Sequence, residues 1–478
     1  MRLVPGSDRC RLLLAIGSTL AVVLALGWMW WSSLLPDTYD LAEMGYADHG
    51  GGPVPSAMAG HGHGTAVADL VEARSGPPDR EVTLTVRDDG ERITVNGATP
   101  GPTLRFDRGD LVEVTLVNDN LADGTTLHWH GLDVPNAVDG VAGLTQDAVM
   151  PRESFVYRFV ADQTGTYWYH SHQLSHEQVR RGLLGAVVVE DAPERDVLAV
   201  LHQYDAVPTL DGAADTTVAP AEPGDTVRVR VVNTDNALTA LWVTGAPYQV
   251  IAVDGTDLHG PTPVAAHAFV VTAGGRADVR ITVPAGGARI DFGGTTALVL
   301  GDDPARGSTP PQPTGFLDLL SYGTPSDPGL DASDPDRTFD YRIGRRLGLL
   351  DGMPGRWWTI NGHLFPNVPM FIVEEGDVVV MRIENHSGES HPMHLHGHHA
   401  LVLSRDGKDA SGSPWWVDSL EVAVGEEYEI AFVADNPGIW MDHCHNLPHA
   451  SEGLAAHMMY AGVTSSFRIG GHDDNHPE

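Results

Sequence analysis

The sequence predicts an all-β protein made of three tandem β-sandwich domains. Glycine (54) and proline (33) are frequent, which suits many short strands joined by turns better than it suits helices. Apolar and polar residues alternate in REVTLTVRDD, GDTVRVRVVNTDN and GEEYEIAFVADNPGIW, in the manner of half-buried strands. The phrase Gly-Asp, alternating strand, Asn occurs three times, at Gly109–Asn118, Gly224–Asn233 and Gly376–Asn385. Three similar sandwiches explain a repeat of this length. A propeller would need more blades, more evenly spaced.

In chain order, residues 1–35 come first. Arg2, Arg9 and Arg11 precede LLLAIGSTLAVVLALGWMWW (12–31), and no charge occurs between Arg11 and Asp37. Twenty apolar residues suffice to span a hydrocarbon core, and Trp28, Trp30 and Trp31 fall where an interfacial belt belongs. The segment reads as a single membrane anchor or as a signal peptide. Either places the bulk outside the cytoplasm, anchored to the outer face of the membrane or secreted. Residues 36–78, with GYADHGGGPVPSAMAGHGHG, read as a flexible linker. Domains are expected at 79–192, 193–300 and 337–468, with a Pro/Gly/Asp/Ser-rich linker at 301–336 and a polar tail at 469–478.

The formal charge is -35, from 29 basic and 64 acidic residues. That balance argues against nucleic acid or an anionic membrane surface as a partner. The cysteines are Cys10, beside the apolar segment, and Cys444, so this is not a disulfide scaffold. There are 24 histidines, several tightly grouped, which points to metal.

Four groups carry the chemistry. They are HWH (His128, His130), HSH (His170, His172), HPMHLHG (His391, His394, His396) and HCHNLPH (His443, Cys444, His445, His449). In a strand, residues i and i+2 share a face, so each H-x-H presents two imidazoles to one cavity. In HCH, Cys444 then points away from His443 and His445 and can ligate a different metal. A thiolate with two imidazoles and a weak axial group makes a blue copper centre suited to electron transfer. Zinc takes the same side chains, but one zinc site accounts for only one group of four ligands. Two groups lie in the first domain and two in the third, so the site is expected to bridge them.

With HWHGLDVPNAVDGVAGLTQ, GTYWYHSH, HPMHLHGH and DNPGIWMDHCHNLPH, residues 80–468 closely resemble the multicopper oxidases, the family of laccases and ferroxidases. The resemblance implies three cupredoxin-like Greek-key domains, the middle one without copper. It implies four copper ions: type 1 on His391, Cys444 and His449, type 2 on His128 and His394, and a type 3 pair on His130, His170, His172, His396, His443 and His445. Asp139 matches the family's acidic residue near the type 2 ion. Leu454, ten residues past Cys444, falls at the axial type 1 position and cannot ligate copper. Many bacterial members carry a glutamate after the last type 1 histidine, whereas this chain has Ala450, with Glu452 as a substitute. Trp415 and Trp416 are candidates to wall the type 1 approach, with core packing as the favoured role. His49, Met58, His61 and His63 can form a copper-collecting segment. Met441, Met458 and Met459 read as packing residues.

The resemblance implies a laccase-like enzyme oxidising phenols, aromatic amines or similar donors and reducing dioxygen to water. Oxidation of Cu(I), Fe(II) or Mn(II) is the first alternative, nitrite reduction or non-enzymatic copper binding the next. Dioxygen and small-molecule or metal-ion donors are the expected partners, and no obligate protein partner is implied.

Overall fold

The computed structural model describes residues 6–55, 64–192, 194–294, 296–472 and 474–478. Its first element is a helix, Gly6–Trp31, whose Cys10–Trp31 portion is long and apolar enough to cross a membrane and is not buried against the rest of the protein. After it the chain is strands and turns, with only two short α-helices, Ser175–Gln178 and Leu447–Ser451, among the described residues.

One arrangement repeats three times. Each unit opens with a strand that pairs in parallel with the repeated Gly-Asp strand. Arg80–Asp88 lies beside Asp110–Asn118, Asp196–Tyr204 beside Thr226–Asn233, and Arg337–Leu350 beside Val378–Asn385. An antiparallel strand covers the other edge in each case: Ser154–Ala161, Arg276–Thr282 or Glu427–Val433. A second sheet faces the first in each unit. In the first unit, side chains of both sheets, such as Val114 and Tyr157 on one and Trp129 and Val187 on the other, share one buried cluster.

The repeated residues have a structural reason. Gly109, Gly224 and Gly376 have φ of 85°, 94° and 92°, which only glycine adopts without strain. Each donates its N–H to the end of the antiparallel neighbour, at Ala161, Val283 and Ala434. Asn118, Asn233 and Asn385 are fully buried at the opposite strand end. Each side-chain amide donates to carbonyls of two further loops or strands, Leu121 and Val149 for Asn118, and Glu389 and Val422 for Asn385.

The expected flexible linker at 36–78 is instead fastened to the body at three places. Thr38–Tyr39 pairs with Ile469–Gly470, Tyr46–Asp48 with Pro369–Val373, and Thr65–Ala66 with Val463–Thr464. Leu41, Ala42 and Val67 are buried, and these few apolar side chains give an otherwise Gly/Pro-rich stretch its hold. Of the copper-collecting candidates, Met58, His61 and His63 lie outside the described residues, and the His49 carbonyl accepts from Arg337. The polar tail is docked too: buried Asn475 holds the Ala148 N–H and the Arg468 carbonyl. In the 301–336 stretch, Leu320 and Tyr322 are buried and Gly315–Phe316 pairs with His267–Val271.

Candidate metal centre

Strand register sorts the candidate ligands onto two sides of one sheet. His391–Leu395 runs antiparallel to Ile439–Cys444 with Met393 opposite Cys444 and His394 opposite His443. Period-two alternation then puts His391 on the Cys444 side and His394 on the His443 side. In the first unit, His128–His130 pairs with Gly165–His170, placing His170 opposite His128 and Trp168 opposite His130. His172, His396 and His445 lie just past their strand ends.

The side chains converge as that register requires. His391, Cys444 and His449 form one group. His130, His170 and His445, then His172, His396 and His443, and finally His128, His130 and His394 form three more; within each, one donor atom per residue lies within 4.8 Å of the others. Of these eleven residues all but His449 are buried. Burial and mutual repulsion hold His130, His170, His172, His396, His443 and His445 well below the usual imidazole range, so the rings are neutral.

The unprotonated nitrogens of the ligand rings face one another. The Nδ1–H of His128 donates to the Asp139 carbonyl, of His394 to the Asp418 carbonyl, of His396 to the Asp139 carboxylate, and of His443 to the Cys444 carbonyl. These partners assign the tautomers and leave each Nε2 as a bare acceptor. Yet His128 and His394 Nε2 are 3.4 Å apart, His396 and His443 Nε2 3.1 Å, and His172 and His443 Nε2 3.3 Å. His170 Nε2 and both nitrogens of His445 are buried with no partner. The same holds in the fourth group. His391 Nε2–H donates to Ser387 Oγ, leaving Nδ1 3.2 Å from His449 Nδ1 and 3.5 Å from Cys444 Sγ. Opposed acceptors at such separations need cations between them. The distances are edges of polyhedra with bonds of roughly 2.0–2.1 Å to nitrogen and 2.3 Å to sulfur, as for a first-row ion such as zinc. The residues therefore fit metal ions, and a thiolate with imidazoles suits copper.

A surrounding layer of partners orients the rings. Asp139, expected from the sequence, is buried and reaches both His128 Nδ1 and His396 Nδ1 at 3.0 Å. Asp418 was not expected. It is buried, 3.1 Å from His130 Nε2, and takes both Arg276 terminal nitrogens at 2.6 and 2.5 Å. Burial alone would raise Asp418; Arg276 and the ring donors hold it well below the carboxylate range. Arg276, itself fully buried, also donates to the Thr166 carbonyl and lies 3.5 Å from Asp254. It thus ties the three units together behind the histidines. His399 bridges Asp133 at 3.3 Å and Asp418 at 3.4 Å; burial disfavours its charge, but the two carboxylates hold it well above the usual range.

Of the two roles open to Trp415 and Trp416, core packing holds for Trp415, and the expectation for Glu452 is corrected. The tryptophan at the thiol group is Trp358, whose ring centroid is 4.4 Å from that of His449, and not Trp415 or Trp416. Trp415 packs in the core against Tyr428, and Trp416 lines a separate pocket with His398 and His399. Glu452 accepts from Trp358 Nε1 at 2.8 Å, so it belongs to the thiol group rather than to the larger histidine cluster. Met441 and Met458 are buried packing residues, as expected.

Comparison with known proteins decides the family. Residues 80–194 and 340–462 each match a family profile described as multicopper oxidase. The multicopper oxidase MmcO of Mycobacterium tuberculosis is 26% identical, over 85% of this chain and 92% of that protein. The chain belongs to the multicopper oxidase family. Laccase-1 of Botryotinia fuckeliana is 28% identical over 76% of this oxidase and 77% of its own length. The iron transport multicopper oxidase fetC of Epichloe festucae is also 28% identical, over 76% and 72%. The solved multi-copper oxidase of Pseudomonas thermotolerans superposes with a TM-score of 0.65 at 27% identity, covering 80% of this chain and 99% of that one. This oxidase is therefore a copper-dependent oxidoreductase that uses oxygen, with laccase-like or metal-ion oxidation as its activity.

Proposed function

We propose that this oxidase is laccase-like. It couples four one-electron oxidations of phenols, aromatic amines or similar small donors to reduction of dioxygen to two waters. Cys444, His391 and His449 would hold a type 1 copper, His128 and His394 a type 2 copper, and the other six histidines of the cluster a type 3 pair. When bound, the first ion accepts electrons from the donor and the other three reduce dioxygen. The observation that carries this reading is the placement of Cys444. Its thiol belongs to one group while its chain neighbours His443 and His445 belong to two of the other three, so two short covalent paths join the donor side to the oxygen side. Asp139 holds the Nδ1 protons of His128 and His396 and is the carboxylate placed to pass protons to that cavity. Leu454 is buried, with its carbonyl on the Cys444 N–H and its N–H on the His449 carbonyl. Its apolar side chain offers no donor, so a copper held by His391, Cys444 and His449 would have those three protein ligands alone and a raised potential.

The same reading makes 79–192, 193–300 and 337–468 the three cupredoxin domains and Gly6–Trp31 a single anchor on the outer face of the membrane. Copper per chain with optical and paramagnetic resonance spectra tests it. Four ions, an intense blue band and one type 2 signal are expected; fewer than three ions in active protein, or zinc throughout, defeats it. A metal-ion donor is the second reading. Glu389, half exposed, sits 3.5 Å from His449 Nε2, where a carboxylate attracts cations. Oxygen uptake with aromatic and metal donors on copper-loaded protein separates the two.

A further inference from the structure

Next to the short helix Leu447–Ser451 that carries His449 lies a second cavity of about 250 Å³. Ala450, Gly453 and Ala455 form one wall, so it begins one residue from His449. Leu35, Tyr39 and Met44, from the stretch that leaves the apolar helix, also line it. Asp351, His476 and Glu478 also line it, but the buried polar group is His457, 1% exposed, whose Nε2 has no hydrogen-bond partner. Burial lowers His457 to about 4, so its ring is neutral and can exchange a hydrogen bond with a hydroxyl.

The surroundings show where an occupant comes from. The helix end is fastened to the tip of the hairpin Arg337–Leu350/Met353–Ile360: the Leu35 N–H donates to Asp351 and the Gly352 N–H to Ser33. That hairpin exposes Leu347 (83%) and Met353 (63%), large apolar side chains uncovered beside a membrane-type helix. Leu350 and Asp351 at its tip line the cavity. The hairpin's other end carries Trp358 at His449. The cavity thus stands between the membrane side of the molecule and the electron-accepting group.

We propose that this cavity binds the ring of a lipid-dissolved hydroquinone drawn from the bilayer, with one ring hydroxyl on His457. The proposal rests on the oxidase reading above and names its donor class. Each hydroquinone gives up two electrons, one at a time toward His449, and two protons, and leaves as the quinone. Two hydroquinones and one dioxygen then give two quinones and two waters.

The full chain, copper-loaded in phosphatidylcholine vesicles, tests this with two donors: decylhydroquinone in the bilayer and a water-soluble aromatic diamine. Both are expected to support oxygen uptake. His457→Leu and Ala455→Trp should each lower kcat/KM for the hydroquinone relative to the diamine at least tenfold. An azidoquinone photolabel on copper-free full chain should attach within residues 35–44 or 450–457. Uptake with the diamine alone, an unchanged ratio in both variants, or labelling elsewhere overturns the proposal. If neither donor is oxidised by wild type, the oxidase reading itself has failed.

Discussion

Removing copper should make this protein acid-labile, and the structure sets the scale. Six rings, His130, His170, His172, His396, His443 and His445, are fully buried, and burial holds each well below the usual imidazole range. In the unfolded chain the same rings take up protons near pH 6.5. The folded copper-free state therefore binds fewer protons, and its stability, complete above pH 6.5, is lost as pH falls below it. One pH unit below 6.5, each ring favours unfolding by about 1.4 kcal/mol, and six together by about 8 kcal/mol. The net stability of a domain is typically about 5–15 kcal/mol, so that loss uses most of the margin. The assay is tryptophan fluorescence and near-UV circular dichroism from pH 8 to 4, on copper-free and copper-loaded full chain. Copper-free protein should unfold between about pH 6 and 5. Copper-loaded protein should resist to lower pH, because protons must first displace the metal. Coincident acid midpoints, or a copper-free protein still folded at pH 4.5, would refute the reasoning.

Arg276→Met leaves Asp418 and Asp254 buried without their cation and should cost about 3–5 kcal/mol; pairing it with Asp418→Asn should recover part of the loss in thermal unfolding, and simple additivity counts against the clamp. His399→Gln removes a charged ring held by two carboxylates and should cost about 1.5–3 kcal/mol below pH 6.5. Because the folded His399 value is raised, this deficit should shrink as pH rises above 6.5, and a deficit independent of pH contradicts it. Leu454→Met supplies an axial donor and should lower the type 1 potential by about 60 mV or more, a tenfold change for one electron; spectroelectrochemistry showing no change or a rise removes Leu454 from the axial place. Cys444→Ser should abolish the blue band while leaving the type 2 signal, and loss of both signals argues against two separate groups.

Much of the site was legible because its rule is local. Period-two alternation places His128 with His130 and turns Cys444 away from His443, and both needed only neighbouring letters. The Gly-Asp…Asn phrase likewise marked one strand in each unit. What sequence reasoning missed is assembled across the chain. Arg276 and Asp418 are 142 residues apart, and Asp418 sits in an ordinary-looking strand segment. His399 follows a ligand motif closely but acquires its charge only from Asp133 and Asp418. Trp358 reaches His449 because a long hairpin returns along the sheet, which no local pattern announces. The linker misled for the opposite reason: its strands of two or three residues are too short to show alternation.

The buried asparagines have one more consequence. Asn118, Asn233 and Asn385 close their units with uncharged amide bonds to the main chain. Nothing in that closure titrates, changes oxidation state or binds an ion, and the middle unit keeps it with no paired histidines at all. Construction of the sandwich frame is thereby separated from metallation. Folding can therefore finish before copper binds, with the ligand rings already carried on a closed frame. In that sense the asparagines let one frame be finished first and loaded with metal later.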